Sequence, residues 1–180
     1  MANDYLVSKW KLWYTWFDIN KDGKVDHDDV QSEKTKFAEL SHLSEEDRVK
    51  VSDNWEKWWN EYIFWGKSSI TEAEFVELMN NAFKENRENF QKRMQSCFEF
   101  VINEIVDNDK SGSISLDEFV LVFKSCGHNN TDLDKKFFDS YNPIDGAIPS
   151  KAMIDSWVVF TTSEDSSVSD IVKEAFESGM

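Results

Sequence analysis

Residues 107–118 read Asp-Asn-Asp-Lys-Ser-Gly-Ser-Ile-Ser-Leu-Asp-Glu, and oxygen-bearing side chains recur in this segment at fixed intervals around one glycine. Its first, third, fifth, ninth and twelfth residues are Asp107, Asp109, Ser111, Ser115 and Glu118. A hard dication needs six to eight oxygen ligands, and this spacing supplies them from a single loop. Ser113 adds a backbone carbonyl, while Gly112 allows the sharp turn that a side chain would make costly. Glu118 closes the sphere with both carboxylate oxygens, so the segment is predicted to bind calcium.

This spacing is that of the EF-hand loop, and a second copy of it lies at residues 18–29. The predicted ligands there are Asp18, Asn20, Asp22, Asp26 and Asp29, together with the backbone carbonyl of Lys24. The closing residue is Asp29, whose side chain is one methylene group shorter than glutamate and reaches an ion less easily with both oxygens. Because fewer protein oxygens favour the smaller, octahedral Mg²⁺, we expect magnesium to compete better here than at 107–118. The chain is therefore predicted to hold two calcium ions.

Two weaker copies, at 63–74 and 141–152, align with these loops on an apolar eighth residue. In the first of them, the first, third and fifth positions carry Ile63, Trp65 and Lys67. In the second, the first, third and closing positions carry Tyr141, Pro143 and Ala152. An ammonium group directed at the ion would repel it, and the other replacements remove ligands, so both loops are expected to bind no metal. We call them the silent loops.

EF-hand loops pair through a short strand contact at the eighth residue. We therefore expect Val25 to face Ile70, and Ile114 to face Ile148. Each pair would hold one binding loop and one silent loop, and the silent loop would supply the backbone partner that its neighbour needs. The alternative is that the middle and the end of the chain are helices unrelated to EF-hands.

Apolar residues recur at helical spacing almost throughout, and Gly and Pro are few, so the predicted fold class is all-α. Helices are expected near residues 3–17, 27–40, 45–63, 72–84, 88–106, 116–125, 132–140, 150–160 and 167–177. A boundary near 85–88 would divide the chain into an N-terminal EF-hand pair, 1–86, and a C-terminal pair with a helical tail, 87–180. The two pairs are expected to pack as one compact globule.

Helix-capping signals agree with this division. Thr71 with Glu74, and Ser115 with Glu118, have the spacing of capping boxes that open the exiting helices of the second and third hands. Ser150, which follows a proline, is expected to cap a further helix.

The formal net charge of the chain is −15. This charge argues against nucleic acid and against an anionic membrane surface as partners, because both attract clustered Lys and Arg. No stretch approaches the ~18 apolar residues of a membrane span, and the sequence starts without the features of a signal peptide. We expect a cytoplasmic protein without an obligate protein partner, and a monomer, with a dimer left open.

Large aromatic residues dominate the early helices. Trp10, Trp13 and Phe17 share one helix face, and Trp55 and Trp59 share another. Such stripes are most simply core, although a ligand cavity lined by tryptophan is the alternative. Internal methionines are few, whereas calcium sensors open a methionine-rich groove to grip their targets. The composition therefore favours one fixed packing.

Four EF-hand units, tryptophan-rich early helices, silent second and fourth loops and a terminal helical extension resemble the invertebrate sarcoplasmic calcium-binding proteins, the molluscan members above all. Residues 5–10, Tyr-Leu-Val-Ser-Lys-Trp, and 114–119, Ile-Ser-Leu-Asp-Glu-Phe, carry the likeness, although many EF-hands share the second segment. The resemblance implies a compact protein of muscle and nerve cytosol that buffers calcium and magnesium, analogous to parvalbumin. It also implies that the tail after Trp157 helps to close the cleft between the lobes.

Three functions follow from these patterns. The first is a calcium and magnesium buffer, the second a calcium sensor with a protein target, and the third a carrier of an apolar ligand. The third arises because the cnidarian luciferin-binding proteins and photoproteins resemble the same fold. No histidine follows Trp157, whereas those photoproteins hold their luciferin with one near the C-terminus, so light emission is not expected. An enzyme is not predicted, because the three histidines are scattered and no phosphate loop or zinc spacing occurs.

Overall fold

The computed structural model describes residues 1–180 and contains nine α-helices and four short strands. The helices are α1 (Asp4–Thr15), α2 (His27–Leu40), α3 (Glu45–Trp58), α4 (Glu72–Glu85), α5 (Arg87–Val101), α6 (Leu116–Ser125), α7 (Thr131–Ser140), α8 (Ser150–Thr162) and α9 (Ile171–Glu177). The strands are β1 (Lys24–Asp26), β2 (Ser69–Thr71), β3 (Ser113–Ser115) and β4 (Ala147–Pro149). Every predicted helix is present, and the predicted all-α class is confirmed.

The four strands form two separate antiparallel pairs, β1 with β2 and β3 with β4. Val25 lies opposite Ile70, and Ile114 lies opposite Ile148, as the loop spacing predicts. All four side chains are fully buried. Each loop that carries the full ligand pattern is thus fastened to a silent loop through its apolar eighth residue.

Three exiting helices start with a capping box. Thr71 and Ser115 open α4 and α6 in this way, as predicted. Asp26 and Asp29 form a third capping box at the start of α2. The prediction for Ser150 is wrong, because Pro149 occupies the cap position of α8 and makes no side-chain cap hydrogen bond. The buried Ser150 hydroxyl has no partner, whereas its backbone N–H donates to the carbonyl of Gly112 at 3.1 Å.

A π-helical turn interrupts each of the two long helices that enter a loop. Trp59–Ile63 follows α3, and Ile102–Val106 follows α5 directly before Asp107. The wider turn is closed by the Asp107 N–H, which donates to the carbonyl of Ile102 at 2.8 Å. One extra residue in a turn rotates the chain that follows it, and such turns are frequent at functional sites.

A single hydrophobic cluster of 40 buried residues runs through both halves of the chain, so the four hands share one core. Helix α5 packs against α8, and α2 packs against α6. Six of the eight tryptophans are buried in this cluster, namely Trp10, Trp13, Trp55, Trp58, Trp59 and Trp157. The prediction that the aromatic stripes form core is confirmed. None of the helices combines the length and apolar character that a membrane crossing requires.

The C-terminal tail lies against the N-terminal helix. Lys9 of α1 is fully buried, and its Nζ lies 2.9 Å from Oδ2 of Asp170, the residue that caps α9. Asn3 and Arg87 both contact Glu164, which follows α8. The tail therefore connects the beginning of the chain to its end. The role that the resemblance implies for it, closing the cleft between the lobes, stays a prediction.

Candidate metal centres

The loop at 107–118 brings three carboxylates together. One oxygen each from Asp107, Asp109 and Glu118 lie within 4.8 Å of one another. Asp107 and Glu118 are buried and Asp109 is exposed. Three carboxylates at this separation can share one divalent cation, and the negative charge of all three would be costly to hold together without one.

Backbone amides hold the two aspartates at the front of this loop. The two oxygens of Asp107 accept from the N–H groups of Ser111 and Gly112, each at 2.9 Å. Asp109 Oδ1 accepts from the same Ser111 N–H at 2.9 Å. Hydrogen bonds from Ser111 lower the pKa of Asp109, so its carboxylate is ionised near neutral pH. Gly112 has φ +80°, the conformation that the turn needs and that a side chain would strain.

Glu118 has two roles in the same loop. Its Oε2 accepts from the N–H of Ser115 at 2.9 Å and from the Ser115 hydroxyl at 2.8 Å. Its Oε1 accepts from the N–H of Asn108 at 3.1 Å. The carboxylate is thus fixed from both ends of the loop while it caps α6. The Ser111 hydroxyl donates to the carbonyl of Ser113 at 2.8 Å, so these two predicted ligands also lie side by side.

The loop at 18–29 repeats the same backbone pattern. The two oxygens of Asp18 accept from the N–H groups of Asp22 and Gly23 at 3.1 and 3.0 Å. Asn20 Oδ1 accepts from the Asp22 N–H at 2.9 Å. No three carboxylates of this loop lie as close together as those of 107–118. The front of the loop is therefore arranged like its counterpart, with the amide Asn20 at the position where 107–118 has a carboxylate.

Asp29 closes this loop from a fully buried position. Its Oδ1 accepts from the N–H of Ile19 at 3.0 Å and its Oδ2 from the N–H of Asp26 at 3.0 Å. Burial raises the pKa of Asp29, and the backbone hydrogen bonds oppose that rise. The shorter side chain thus makes the contacts to both ends of the loop that Glu118 makes, and its Oδ1 also lies 3.3 Å from the N–H of Asn20.

Lys24 has a role that the sequence analysis missed, because only its carbonyl was considered. Its ammonium group pairs with Asp26 and lies 3.9 Å from Asp22. A side-chain cation of the protein thus stands between two predicted ligands of the same loop. Opposite charges at residues 24 and 26 are the signal for this contact, since alternate residues of a strand lie on one face.

Almost the whole length of the chain is similar to a known calcium-binding protein. No family model matches the chain. The sarcoplasmic calcium-binding protein of Mizuhopecten yessoensis is 38% identical over 177 residues, which cover 97% of this chain and 99% of the relative. The chain belongs to the sarcoplasmic calcium-binding proteins. A second member, from Perinereis vancaurica tetradentata, is 26% identical over 71% of the chain and 72% of its own length.

Membership in this family confirms two predictions, that the chain is a calcium-binding EF-hand protein and that it is not an enzyme. Among solved structures, the calcium-loaded apo coelenterazine-binding protein of Renilla muelleri has a TM-score of 0.78 at 16% identity, and the match covers 96% of this chain and 94% of that one. The magnesium-loaded ctenophore photoprotein apo-berovin, in which all three calcium-binding loops bind magnesium, has a TM-score of 0.62 at 15% identity, with 91% and 89% covered. At these identities the likeness concerns the fold.

In this sarcoplasmic calcium-binding protein the loop at 63–74 holds its own cation. The Lys67 ammonium donates to Oε1 of Glu74, the closing residue, at 2.8 Å. Glu74 Oε2 accepts from the N–H of Thr71 at 3.0 Å. The ion pair with Lys67, together with the hydrogen bonds from Thr71, lowers the pKa of Glu74 to about 2. The sequence analysis anticipated that Lys67 would repel an ion, but not that it would pair with the closing carboxylate.

The first residue of the loop at 141–152, Tyr141, is half-buried and packs against the core. The Tyr141 hydroxyl lies 2.8 Å from that of Ser156, and its ring centroid lies 5.4 Å from that of Phe137. Gly146, the sixth residue, has φ +84° as Gly112 has φ +80°, whereas the other left-handed residues of this loop, Asn142 and Asp145, stand at its second and fifth positions. The loop thus keeps the glycine turn without a carboxylate at its first, third or closing position.

Proposed function

We propose that this chain is a cytosolic calcium and magnesium buffer with two ion sites, one in each EF-hand pair. The pairs are residues 1–86 and 87–180, and the silent loops at 63–74 and 141–152 bind no ion. The proposed ligands are Asp18, Asn20, Asp22, Lys24 (carbonyl), Asp26, Asp29, Asp107, Asp109, Ser111, Ser113 (carbonyl), Ser115 and Glu118. Buffers of this kind bind calcium at roughly 10⁻⁹ to 10⁻⁸ M.

The grouping of Asp107, Asp109 and Glu118 within 4.8 Å is the observation that carries this proposal. Their oxygens are already held by backbone N–H groups, so an ion would meet a prearranged set of ligands. Such prearrangement favours tight binding, because little ordering of the loop remains to be done when the ion arrives.

A buffer fits the core better than a sensor does. The hydrophobic residues of both halves form one cluster, and the tail is anchored on α1 by the buried pair of Lys9 and Asp170. Opening a groove for a target would break this cluster and expose large rigid aromatic side chains to water. We therefore propose that the protein acts as a monomer without an obligate protein partner.

Magnesium is proposed to compete mainly at the loop 18–29. Asp29 is short, and the third position of this loop carries the amide Asn20 where 107–118 has a carboxylate. Mg²⁺ keeps several water ligands and needs fewer protein oxygens than Ca²⁺ does. Calcium uptake at this loop would then wait for magnesium to leave.

Calorimetric titration with calcium in millimolar magnesium tests the proposal. We expect two sites per chain, one of them with a visibly weaker apparent calcium affinity when magnesium is present. Three or more tight sites would show that a silent loop binds an ion. A dye that binds exposed apolar surface tests the sensor alternative, and a large calcium-dependent rise in its binding would contradict a pure buffer. Gel filtration with light scattering reports the oligomeric state.

A further inference from the structure

The shared core contains a cavity of about 70 Å³ between the two EF-hand pairs. Of the 16 residues that line it, 15 are hydrophobic. They come from both halves of the chain and include Trp13, Trp55, Phe98, Val122 and Met153. The side chains around an apolar cavity lose dispersion contacts that a densely packed core would provide. A cavity at the junction of several helices therefore requires an explanation.

Glu33 on α2 is the one charged residue in the lining, and only 2% of it is exposed. One oxygen of the Glu33 carboxylate, Oε2, accepts two hydrogen bonds from indole groups. The donors are Trp55 Nε1 at 2.6 Å and Trp59 Nε1 at 2.8 Å. Oε1 accepts no hydrogen bond from an N–H or O–H group of the protein. The thiol of Cys126, a weak donor, is the other group that interacts with this carboxyl.

This arrangement is costly for a purely structural residue. Burial raises the pKa of Glu33 to about 7, since the charged form is desolvated more than the hydrogen bonds restore. Holding two indole groups requires only one neutral acceptor, whereas a carboxyl leaves a second oxygen that lacks a good donor. An apolar cavity with one poorly satisfied polar group and a shifted pKa is the usual form of a small-molecule site.

We propose that this cavity binds a small, mainly apolar molecule, no larger than one ring, whose hydroxyl or amine group donates a hydrogen bond to Glu33. The volume sets this upper limit, because an apolar protein cavity that accepts benzene measures about 150 Å³, about twice the volume of this cavity. A single ring therefore requires the lining to move apart, and the unbranched side chain of Met153 can supply part of that movement. This site is separate from the metal loops and goes beyond the buffer function.

Phenol and toluene are matched probes, since they have the same shape and number of heavy atoms and differ by one hydrogen-bond donor. The ¹⁵N-labelled indole N–H signals of the calcium-loaded protein would be followed by NMR at pH 8, where Glu33 is mostly ionised. Phenol should shift the signals of Trp55 and Trp59 saturably. It should bind about tenfold more tightly than toluene, the effect of one hydrogen bond to a charged acceptor. Absence of saturable shifts with either probe would overturn the proposal.

Glu33→Gln tests the roles of the two side-chain oxygens separately. Its carbonyl still accepts from both indole groups, while its amide replaces the free acceptor with a donor. We expect the preference for phenol over toluene to fall from about tenfold to near onefold. Glu39→Gln, an exposed residue on the same helix, is the matched control and should keep the full preference. An unchanged preference in Glu33→Gln would remove Glu33 from the site.

Val122→Phe provides a second variant that does not alter the carboxyl. A ring at position 122 fills the cavity, so both probes should lose their effect on the two indole signals. If phenol shifts these signals as before, it binds elsewhere and the proposal fails. Calcium stoichiometry, measured on each variant, should remain at the wild-type value and serves as the check that the protein has folded.

Discussion

Each of the loops 18–29 and 107–118 ends in a residue that carries a carboxylate, and the length of its side chain decides how far the two oxygens reach. Glu118 and Asp29 are each bonded to backbone amides at both ends of their loops, so the difference between them is one methylene group. Asp29→Glu should raise the ratio of calcium to magnesium affinity at 18–29 by about tenfold, because a second oxygen can then reach the larger ion. Calcium and magnesium titrations by calorimetry measure this ratio. An unchanged ratio would show that the length of the closing side chain does not set the selectivity.

The Lys24 ammonium lies beside Asp26 and Asp22, the carboxylates for which it would compete with an ion under the proposed function. Removing it should make ion binding at this loop tighter, since the two carboxylates lose a cation that partly neutralises them. We expect Lys24→Met to raise the calcium affinity of the loop 18–29 severalfold. Lys21→Met removes the same charge from the same loop at an exposed position without an ion pair, and it should change the affinity less. Equal effects of the two variants would indicate a general charge effect instead of a local pair.

Most of the proposed ligands could be read from the sequence, because an EF-hand loop places them by position along one short segment. The roles of Lys24, Lys67 and Glu33 could not. A long ammonium side chain reaches several carboxylates, and which one it meets depends on the folded loop. Glu33 is a polar residue on a helix, and its burial depends on where Trp55 and Trp59 of another hand arrive.

At the scale of single elements, the silent loop 63–74 keeps its closing carboxylate in place with a side-chain cation of its own. Lys67 supplies the positive charge that an ion is proposed to supply in the loops 18–29 and 107–118, and Glu74 keeps its place as the closing and capping residue. We expect Lys67→Met to raise the pKa of Glu74 from about 2 toward its usual range, with the hydrogen bonds from Thr71 keeping it somewhat below that range. Carboxyl ¹³C NMR across a pH titration measures the change. Because the folded-state pKa is lowered, the ion pair acts at neutral pH and is lost as the pH falls from about 4.5 to about 2.

Lys67→Met should not create a third ion site, since Ile63 and Trp65 still occupy the first and third positions. A pKa of Glu74 that stays near 2 in this variant would mean that Thr71 alone holds the carboxylate ionised. Thr71→Val then serves as the comparison, because it removes the side-chain hydroxyl and keeps the backbone donor.

Helix positions were predictable because caps and loops mark the ends of the helices, as Thr71 and Ser115 do. The π turns after α3 and α5 were not predictable, because they depend on the direction in which the following loop must leave the helix and not on the local preference of the residues. Ser150 illustrates a related error: its backbone N–H is taken by Gly112 of the partner loop, so the helix starts in response to strand pairing.

At the scale of the whole molecule, pairing of the four loops followed from the repeat, whereas the contact between the two ends of the chain did not. Lys9 and Asp170 are 161 residues apart in sequence, and nothing in the spacing of either residue links them. Their pair lies under the tail, where Lys9 Nζ also donates to the carbonyl of Val159 at 3.3 Å. The central cavity likewise results from how six helices meet, which no single segment encodes.

This buried pair leads to a prediction about the stability of the whole molecule. Asp170→Asn keeps the cap of α9, because asparagine caps helices as well as aspartate does, but it leaves the Lys9 ammonium buried without an opposite charge. Removing one partner of a buried pair costs about 3–5 kcal/mol of unfolding free energy, and the retained amide hydrogen bond places this variant near the lower value. Urea unfolding in saturating calcium measures it.

The exposed pair of Lys151 and Asp155 provides the matched control. Asp155→Asn should cost less than about 1 kcal/mol, since exposed ion pairs contribute little. The double variant Lys9→Met with Asp170→Asn should recover part of the stability that Asp170→Asn loses, because no buried charge is left unpaired. If Asp170→Asn is no more destabilising than Asp155→Asn, the tail does not depend on this pair, and the aromatic contact of Phe176 with Trp16, at 5.2 Å between ring centroids, would have to hold it in place.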